Sequence, residues 1–211
     1  MKAHIDTEKY LNQLSNGDKS FTYTAIREGI YTESFPLYTS FFDLQNPTTE
    51  IKLPIDGKHS IAFAKRDELG EATARLIINH TNNNIKKYDY INKIILLSGP
   101  QSISFNEMAR IFSKLLNKSI QIKTTTVEDY CNQEKVKALT VYGSGTDNST
   151  QIWASTYNGI EKGESSITTN HLSNILERQP ETFEKTISNL LQNWKYFSYK
   201  INHKSQTYVL K

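Results

Sequence analysis

The segment that follows the first β-rich run of the chain collects side chains able to contact a small molecule. The run Phe21–Ile26 alternates and is rich in β-branched and aromatic residues, which predicts a strand. A charged pair and Gly29 end it, and an aromatic-polar loop continues to Pro36. In open α/β sheets, ligands bind just outside the carboxyl ends of strands. An aromatic ring there can stack on a flat ligand, so this loop is where we expect substrate contacts.

The same residues also allow a purely structural interpretation. Tyr31 and Phe35 can pack a short helix onto the sheet, and Arg27 with Glu28 can form a salt-bridged end of the strand. The sequence leaves both interpretations open.

The remaining patterns predict an α/β chain. Ile94–Leu97 is a continuous apolar run, typical of a strand buried on both faces and therefore of a parallel sheet. Ser104 and Glu107 have the spacing of a capping box that begins a helix. The other expected elements are a helix capped by Asp6 or Thr7, a helix over 37–44, two short strands at 51–53 and 60–63 around the Asp56-Gly57 turn, a helix over 67–79, an edge strand at 120–122, and helices near 127–130, 152–159, 172–176 and 181–194.

Composition excludes several classes of function. The 211 residues suffice for one domain, and a net charge of +3 with dispersed Lys and Arg does not indicate nucleic-acid binding. Because no run of eighteen apolar residues occurs, we expect no membrane span. The single cysteine, Cys131, rules out an internal disulfide and fits a cytoplasmic or nuclear protein. It has no ligand-spaced neighbour, and the five histidines are scattered, so no metal site is expected.

The segment Phe21–Pro36 resembles the late strand and substrate loop of NmrA-like proteins. These are atypical short-chain dehydrogenase/reductase relatives, and they include NADPH-dependent quinone reductases. Two later segments strengthen the resemblance: the Asp-led helix that begins at Asp67, and Trp153–Glu164 followed by Leu176–Phe183. It covers about residues 4–193, while the basic, Tyr-rich tail 195–211 has no counterpart.

The resemblance implies the fold and the activity. It implies the C-terminal portion of an NAD(P)-binding Rossmann-like fold with a mixed α+β substrate subdomain, over residues 1–194. It also implies reduction of quinone-like small molecules with NAD(P)H. His4 stands where the family has a lysine that holds the nicotinamide ribose, which makes it the catalytic candidate. Tyr31, Glu33, Ser34 and Phe35 stand where the family's loop covers the nicotinamide and the substrate, so the resemblance makes them the candidates for substrate contact. Arg27, Gly29 and Ile30 become the candidates for cofactor contact.

One feature of the family has no match in this sequence. The Gly-rich dinucleotide loop of the family lies upstream of the resembling segment, and here only residues 1–20 precede it. The polar stretch Gly143–Asn148 lacks the third glycine of a dinucleotide fingerprint. We therefore expect impaired cofactor binding by this chain alone. The alternative is a non-catalytic, truncated or regulatory protein of the same family, whose partner is the missing N-terminal half or a second copy.

Overall fold

A computed structural model describes residues 2–81, 89–138 and 148–192 of the chain. The expected tail 195–211 lies outside these residues, and so does most of the stretch Gly143–Asn148. The strands are β1 (Thr24–Glu28), β2 (Ile30–Tyr31), β3 (Glu50–Leu53), β4 (Ser60–Ile61), β5 (Phe63–Ala64), β6 (Lys93–Leu97), β7 (Ile103–Ser104) and β8 (Gln121–Thr124). The helices are α1 (Lys2–Gly17), α2 (Phe35–Tyr38), α3 (Arg66–Thr81), α4 (Phe105–Leu116), α5 (Val127–Asn132), α6 (Glu134–Lys137), α7 (Ser149–Ala154), α8 (Thr156–Glu161), α9 (His171–Leu176) and α10 (Phe183–Gln192), with a 3-10 turn at Thr32–Ser34.

Parallel pairing organises the strands around the candidate loop. β1 pairs with β6 in parallel from Thr24 opposite Lys93 to Glu28 opposite Leu97. β2 continues the same run and pairs with β5, also in parallel. At the junction, the Gly29 N–H donates to the Leu97 carbonyl at 2.9 Å. The observed strand therefore extends beyond Gly29, whereas the predicted strand Phe21–Ile26 ended before it. The extension occurs because first β6 and then β5 pair with this part of the chain.

Both strands predicted around the Asp56-Gly57 turn are present, but the prediction that they pair with each other is wrong. β3 pairs in parallel with β8, whereas β4 pairs antiparallel with β7. These long-range partners bury Ile51 and Leu53 almost completely, which a local hairpin of such short strands cannot do.

The predicted helix over 37–44 is also wrong, because α2 ends at Tyr38. Ser40 and Phe41 adopt the left-handed region, with φ of 51° and 56°, so the helix cannot continue through them. The Ser40 hydroxyl instead donates to the Lys52 carbonyl at 2.6 Å. This turn carries Phe42 into the core, where it is 5% exposed.

Two smaller predictions need correction. α1 begins at Lys2, so Asp6 and Thr7 lie inside the helix and do not cap it. β6 is buried on one face only: Ile95 and Leu97 are buried, but Ile94 on the other face is 44% exposed. The apolar run is therefore buried on one face, whereas its composition predicts burial on both faces.

Two hydrophobic clusters form the core of the described residues. The smaller one joins β6 to α3 and α9 through Leu69, Leu76 and Leu172. The larger one is aromatic and surrounds Phe63, with Phe112 and Phe183 beside it. Full burial of such side chains stabilises the fold by about 1.5–3 kcal/mol each. Because Phe63 lies in β5, the larger cluster also fixes the strand that pairs with β2.

The backbone of Gly99 passes so close to β5 that no other residue fits. A Cβ atom at position 99 would lie 1.6 Å from the Phe63 carbonyl oxygen. We predict that Gly99→Ala lowers the free energy of unfolding by about 3 kcal/mol or more, because the backbone itself must move. Gly70→Ala is the control, since a Cβ there meets nothing within 4 Å; in a helix it should stabilise by about 0.5–1 kcal/mol.

Urea unfolding followed by circular dichroism measures both variants. Equal midpoints for Gly99→Ala and the unmodified chain would contradict the close packing at this junction.

Candidate functional site

Tyr31 is the exposed aromatic residue at the end of β2. It is 37% exposed, and its hydroxyl donates to the Glu28 carboxylate at 2.8 Å. The Thr73 hydroxyl donates to the other oxygen of Glu28 at 3.4 Å. The hydrogen bond to Glu28 raises the pKa of Tyr31, so the phenol keeps its proton at neutral pH. The ring is thus held by its hydroxyl while part of its surface remains open for stacking.

Glu33 and Ser34 form hydrogen bonds within the protein. The Glu33 carboxylate accepts the N–H of Arg66 at 3.1 Å. Because Arg66 is the first residue of α3, this carboxylate stabilises the positive end of the helix. The Ser34 hydroxyl donates to the Tyr31 carbonyl at 2.7 Å. Both side chains therefore fix the shape of the loop.

Phe35 lies in the aromatic core. It is 2% exposed, and its ring centroid is 5.3 Å from that of Phe112 and 6.3 Å from that of Phe183. The ring packs α2 onto α4 and α10, which is the structural role that the sequence left open. Of the four substrate candidates, Tyr31 and Ser34 are the ones whose side chains lie at the surface without a role in the core or in a helix cap.

The C-terminal helices hold the end of the loop segment. The Trp153 indole donates to the Leu37 carbonyl at 3.1 Å, and the Tyr157 hydroxyl donates to the Tyr38 carbonyl at 3.1 Å. Burial raises the pKa of Tyr157 well above its usual value, so its hydroxyl stays a donor. Residues far along the chain thus anchor the helix that follows the candidate loop.

Arg27 pairs with α1 and not with its neighbour Glu28. Its guanidinium donates two hydrogen bonds to Glu8, at 2.7 and 2.6 Å. The hydrogen bond from Arg27 lowers the pKa of Glu8, so the pair is complete above the usual carboxyl pKa and is lost as the pH falls through the lowered value. A cofactor phosphate would have to compete with Glu8 for Arg27. His4 lies one turn before Glu8 and is exposed.

The other two cofactor candidates contribute backbone. The Gly29 N–H is already bonded to Leu97, and a Cβ at Gly29 would lie 2.7 Å from the Leu97 carbonyl oxygen. Ile30 pairs with Phe63 and packs against the larger core cluster. Arg27, Gly29 and Ile30 lie close together along the β1–β2 run, but none of them offers a free side-chain donor for a phosphate.

The N-termini of α3 and α4 do not fit the pyrophosphate of a dinucleotide. Such a group needs backbone N–H groups at a glycine turn that begins a helix. A carboxylate already lies at the beginning of α3, from Glu33, and at the beginning of α4, from Glu107. These negative charges repel a phosphate.

Across 2–81, 89–138 and 148–192, no cluster of three or more His, Cys, Asp or Glu side chains could hold a metal, and no helix is long and apolar enough to cross a membrane.

Thr32 is a polar residue of the loop that the sequence analysis did not select. It is completely buried, and its hydroxyl has no hydrogen-bond partner in the described structure. An unpaired buried hydroxyl is costly. No sequence signal distinguishes it from Ser34, because only the three-dimensional packing shows which hydroxyl points inward.

We predict that Thr32→Val stabilises the chain by about 1 kcal/mol, because it removes an unsatisfied buried hydroxyl at nearly constant shape. Thr39→Val is the matched control: Thr39 is also completely buried, but its hydroxyl donates to the Phe35 carbonyl at 2.9 Å. That variant should lose about 1 kcal/mol. Urea unfolding of both variants measures the difference. Equal destabilisation would show that the Thr32 hydroxyl has a partner.

Comparisons with known proteins find relatives of part of the chain. No family model matches the sequence. The NmrA-like family domain-containing oxidoreductase flvB of Aspergillus flavus is 32% identical over 129 residues, which are 61% of this chain and 36% of that protein. Prestalk A differentiation protein A of Dictyostelium discoideum is 24% identical over 130 residues, or 60% of this chain and 39% of that protein.

The fold matches solved reductases over a longer stretch. The NADPH-dependent quinone oxidoreductase QOR2 of Escherichia coli aligns with a TM-score of 0.65 at 23% identity, covering 90% of this chain and 61% of that one. Its complex with NADPH aligns with a TM-score of 0.64. The chain spans little more than a third of the length of the curated relatives. The chain is therefore similar in sequence, over 61% of its length, to an NmrA-like family domain-containing oxidoreductase, and it has the α/β, Rossmann-like fold of part of the solved reductases that it matches.

Proposed function

We propose that the chain supplies the substrate side of an NAD(P)H-dependent reductase that acts on flat, quinone-like small molecules. The observation that carries this proposal is Tyr31, an exposed ring at the carboxyl end of the β1–β2 run, held by Glu28. The names of two relatives, an oxidoreductase and a quinone oxidoreductase, support the same chemistry. Stacking on an aromatic face suits a planar substrate.

The loop residues divide into two groups in this proposal. Tyr31 stacks on the substrate, and Ser34 contributes a polar contact at the same surface. Glu33 and Phe35 contribute indirectly, since one caps α3 and the other packs α2 into the core. The backbone of Gly29 and Ile30, together with Arg27, would border the cofactor. His4 would contribute a hydrogen bond, worth about 0.5–1.5 kcal/mol.

The cofactor pyrophosphate has to be held by residues other than the described ones. The longer relatives could provide such residues in an N-terminal half. That half would have to dock against β1. The outer edge of β1 suits this role, because the Gly29 amide points toward β6 and alternate amides, those of Ile26 and Glu28, point the other way. Within the described residues, β1 and β6 form a two-stranded sheet, so no strand covers that edge.

The same open edge favours the second candidate function, a non-catalytic regulatory or interaction protein of this family. An uncovered strand edge is a template for another strand. The exposed apolar residues Ile5, Tyr10 and Leu14 of α1 and Ile94 of β6 would add to such a contact. In this alternative, a partner strand binds β1 without completing a reductase.

We predict that the chain alone does not bind NADPH at micromolar concentration, because the Gly-rich dinucleotide loop has no match in this sequence and carboxylates already lie at the N-termini of α3 and α4. Adding the N-terminal half of a close relative should restore saturable binding and quinone-dependent oxidation of NADPH. Nucleotide fluorescence and absorbance measure the two steps. Binding without oxidation would favour the non-catalytic alternative, and micromolar binding by the chain alone would contradict the proposed division of the site.

A pair of Tyr31 variants tests the substrate contact in the completed protein. Tyr31→Ala should raise the KM for a quinone about tenfold, since an aromatic pair contributes about 0.5–1.5 kcal/mol. Tyr31→Phe keeps the ring and should stay within about twofold of the unmodified protein. Steady-state kinetics with a soluble quinone gives both values. Equal KM values for the two variants would exclude stacking by Tyr31.

A further inference from the structure

Two lysines face each other on paired strands far along the sequence from the Tyr31 loop. Lys52 of β3 lies opposite Lys123 of β8 in a parallel pair. Both are exposed, on the side of the strands away from the buried Ile51 and Leu53. Like charges at directly opposed positions of neighbouring strands destabilise the pairing. A sheet that keeps this arrangement gains stability when a negative group sits between the two ammonium groups.

The two lysines line a cavity of about 320 Å³. The lining also includes Thr125, Asp129, Asn132 and Gln133. The Gln133 side chain donates to the Lys52 carbonyl at 3.2 Å, which fixes one wall next to the lysine. The cavity is therefore open, polar and large enough for a small ion with several hydrogen-bond acceptors.

The protein neutralises this pair of charges only in part. Lys123 lies 3.6 Å from the Glu50 carboxylate, in an exposed contact that contributes little. Among the described residues, Lys52 has no carboxylate within 4 Å. Asp129 is the acidic member of the lining, and its carboxylate accepts a long hydrogen bond of 3.4 Å from Thr125. At least one ammonium group thus remains available for an ion from solution.

We propose that this cavity is a binding site for a small oxyanion of the phosphate type, held between Lys52 and Lys123. The two ammonium groups supply charge, and the side-chain amide of Asn132 and the second N–H of the Gln133 amide supply further donors. Asp129 opposes the anion and limits its affinity. The site is formed by β3, β8 and α5, and it does not depend on the reductase proposed above.

Titration of the full chain with inorganic phosphate, at constant ionic strength kept with chloride, tests the site. Calorimetry should show saturable binding to the unmodified chain. Lys52→Gln should weaken binding about fivefold or more, the effect expected of one unit charge near the ion. Asp129→Asn should strengthen it by a similar factor. Lys9→Gln, on the exposed surface of α1, removes the same charge elsewhere and should change nothing.

Thermal unfolding with and without phosphate distinguishes this site from a solvated pair of lysines. Without phosphate, Lys52→Gln removes the repulsion and should raise Tm by about 1–4 °C. With phosphate, Tm should rise further only when Lys52 is present. A phosphate response that is equal in Lys52→Gln and Lys9→Gln, or no saturable binding at all, would overturn the proposal.

Discussion

The close approach of three backbone segments at Gly29 and Gly99 is the constraint on which the candidate site depends. Gly29 lets the β1–β2 run lie against the end of β6, and Gly99 lets the chain leaving β6 pass directly over Phe63 of β5. Two successive partners, first β6 and then β5, can therefore pair with the same run. This change of partner places Tyr31 at the carboxyl end of a parallel strand pair, where ligands of α/β proteins bind. A larger residue at either glycine would separate the strands.

Carboxylates near the loop mostly stabilise structure, and this restricts what the site can do. Glu28 orients Tyr31, Glu33 caps α3, and Glu8 neutralises Arg27. None of them is a free acid or base poised at a substrate position. The described site therefore suits binding and orientation of a planar molecule.

The sequence predicted the features that depend on local patterns. The capping box of Ser104 and Glu107 is present, and the parallel partner of Ile94–Leu97 follows from an apolar run. The predictions that failed depend on contacts between distant residues. The helix over 37–44 ends at Tyr38 because Ser40 bonds to Lys52, and the partners of β3 and β4 come from later in the chain. The burial of Thr32 and the bond of Glu33 to Arg66 likewise depend on tertiary packing.

Amide hydrogen exchange along β1 tests the central claim, which is that this chain presents an open strand edge beside the Tyr31 loop. In the chain alone, the Gly29 amide should exchange slowly because it is bonded to Leu97, while those of Ile26 and Glu28 should exchange fast. Adding the N-terminal half of a close relative should protect Ile26 and Glu28. Uniform protection of all three amides in a monodisperse monomer would contradict the account.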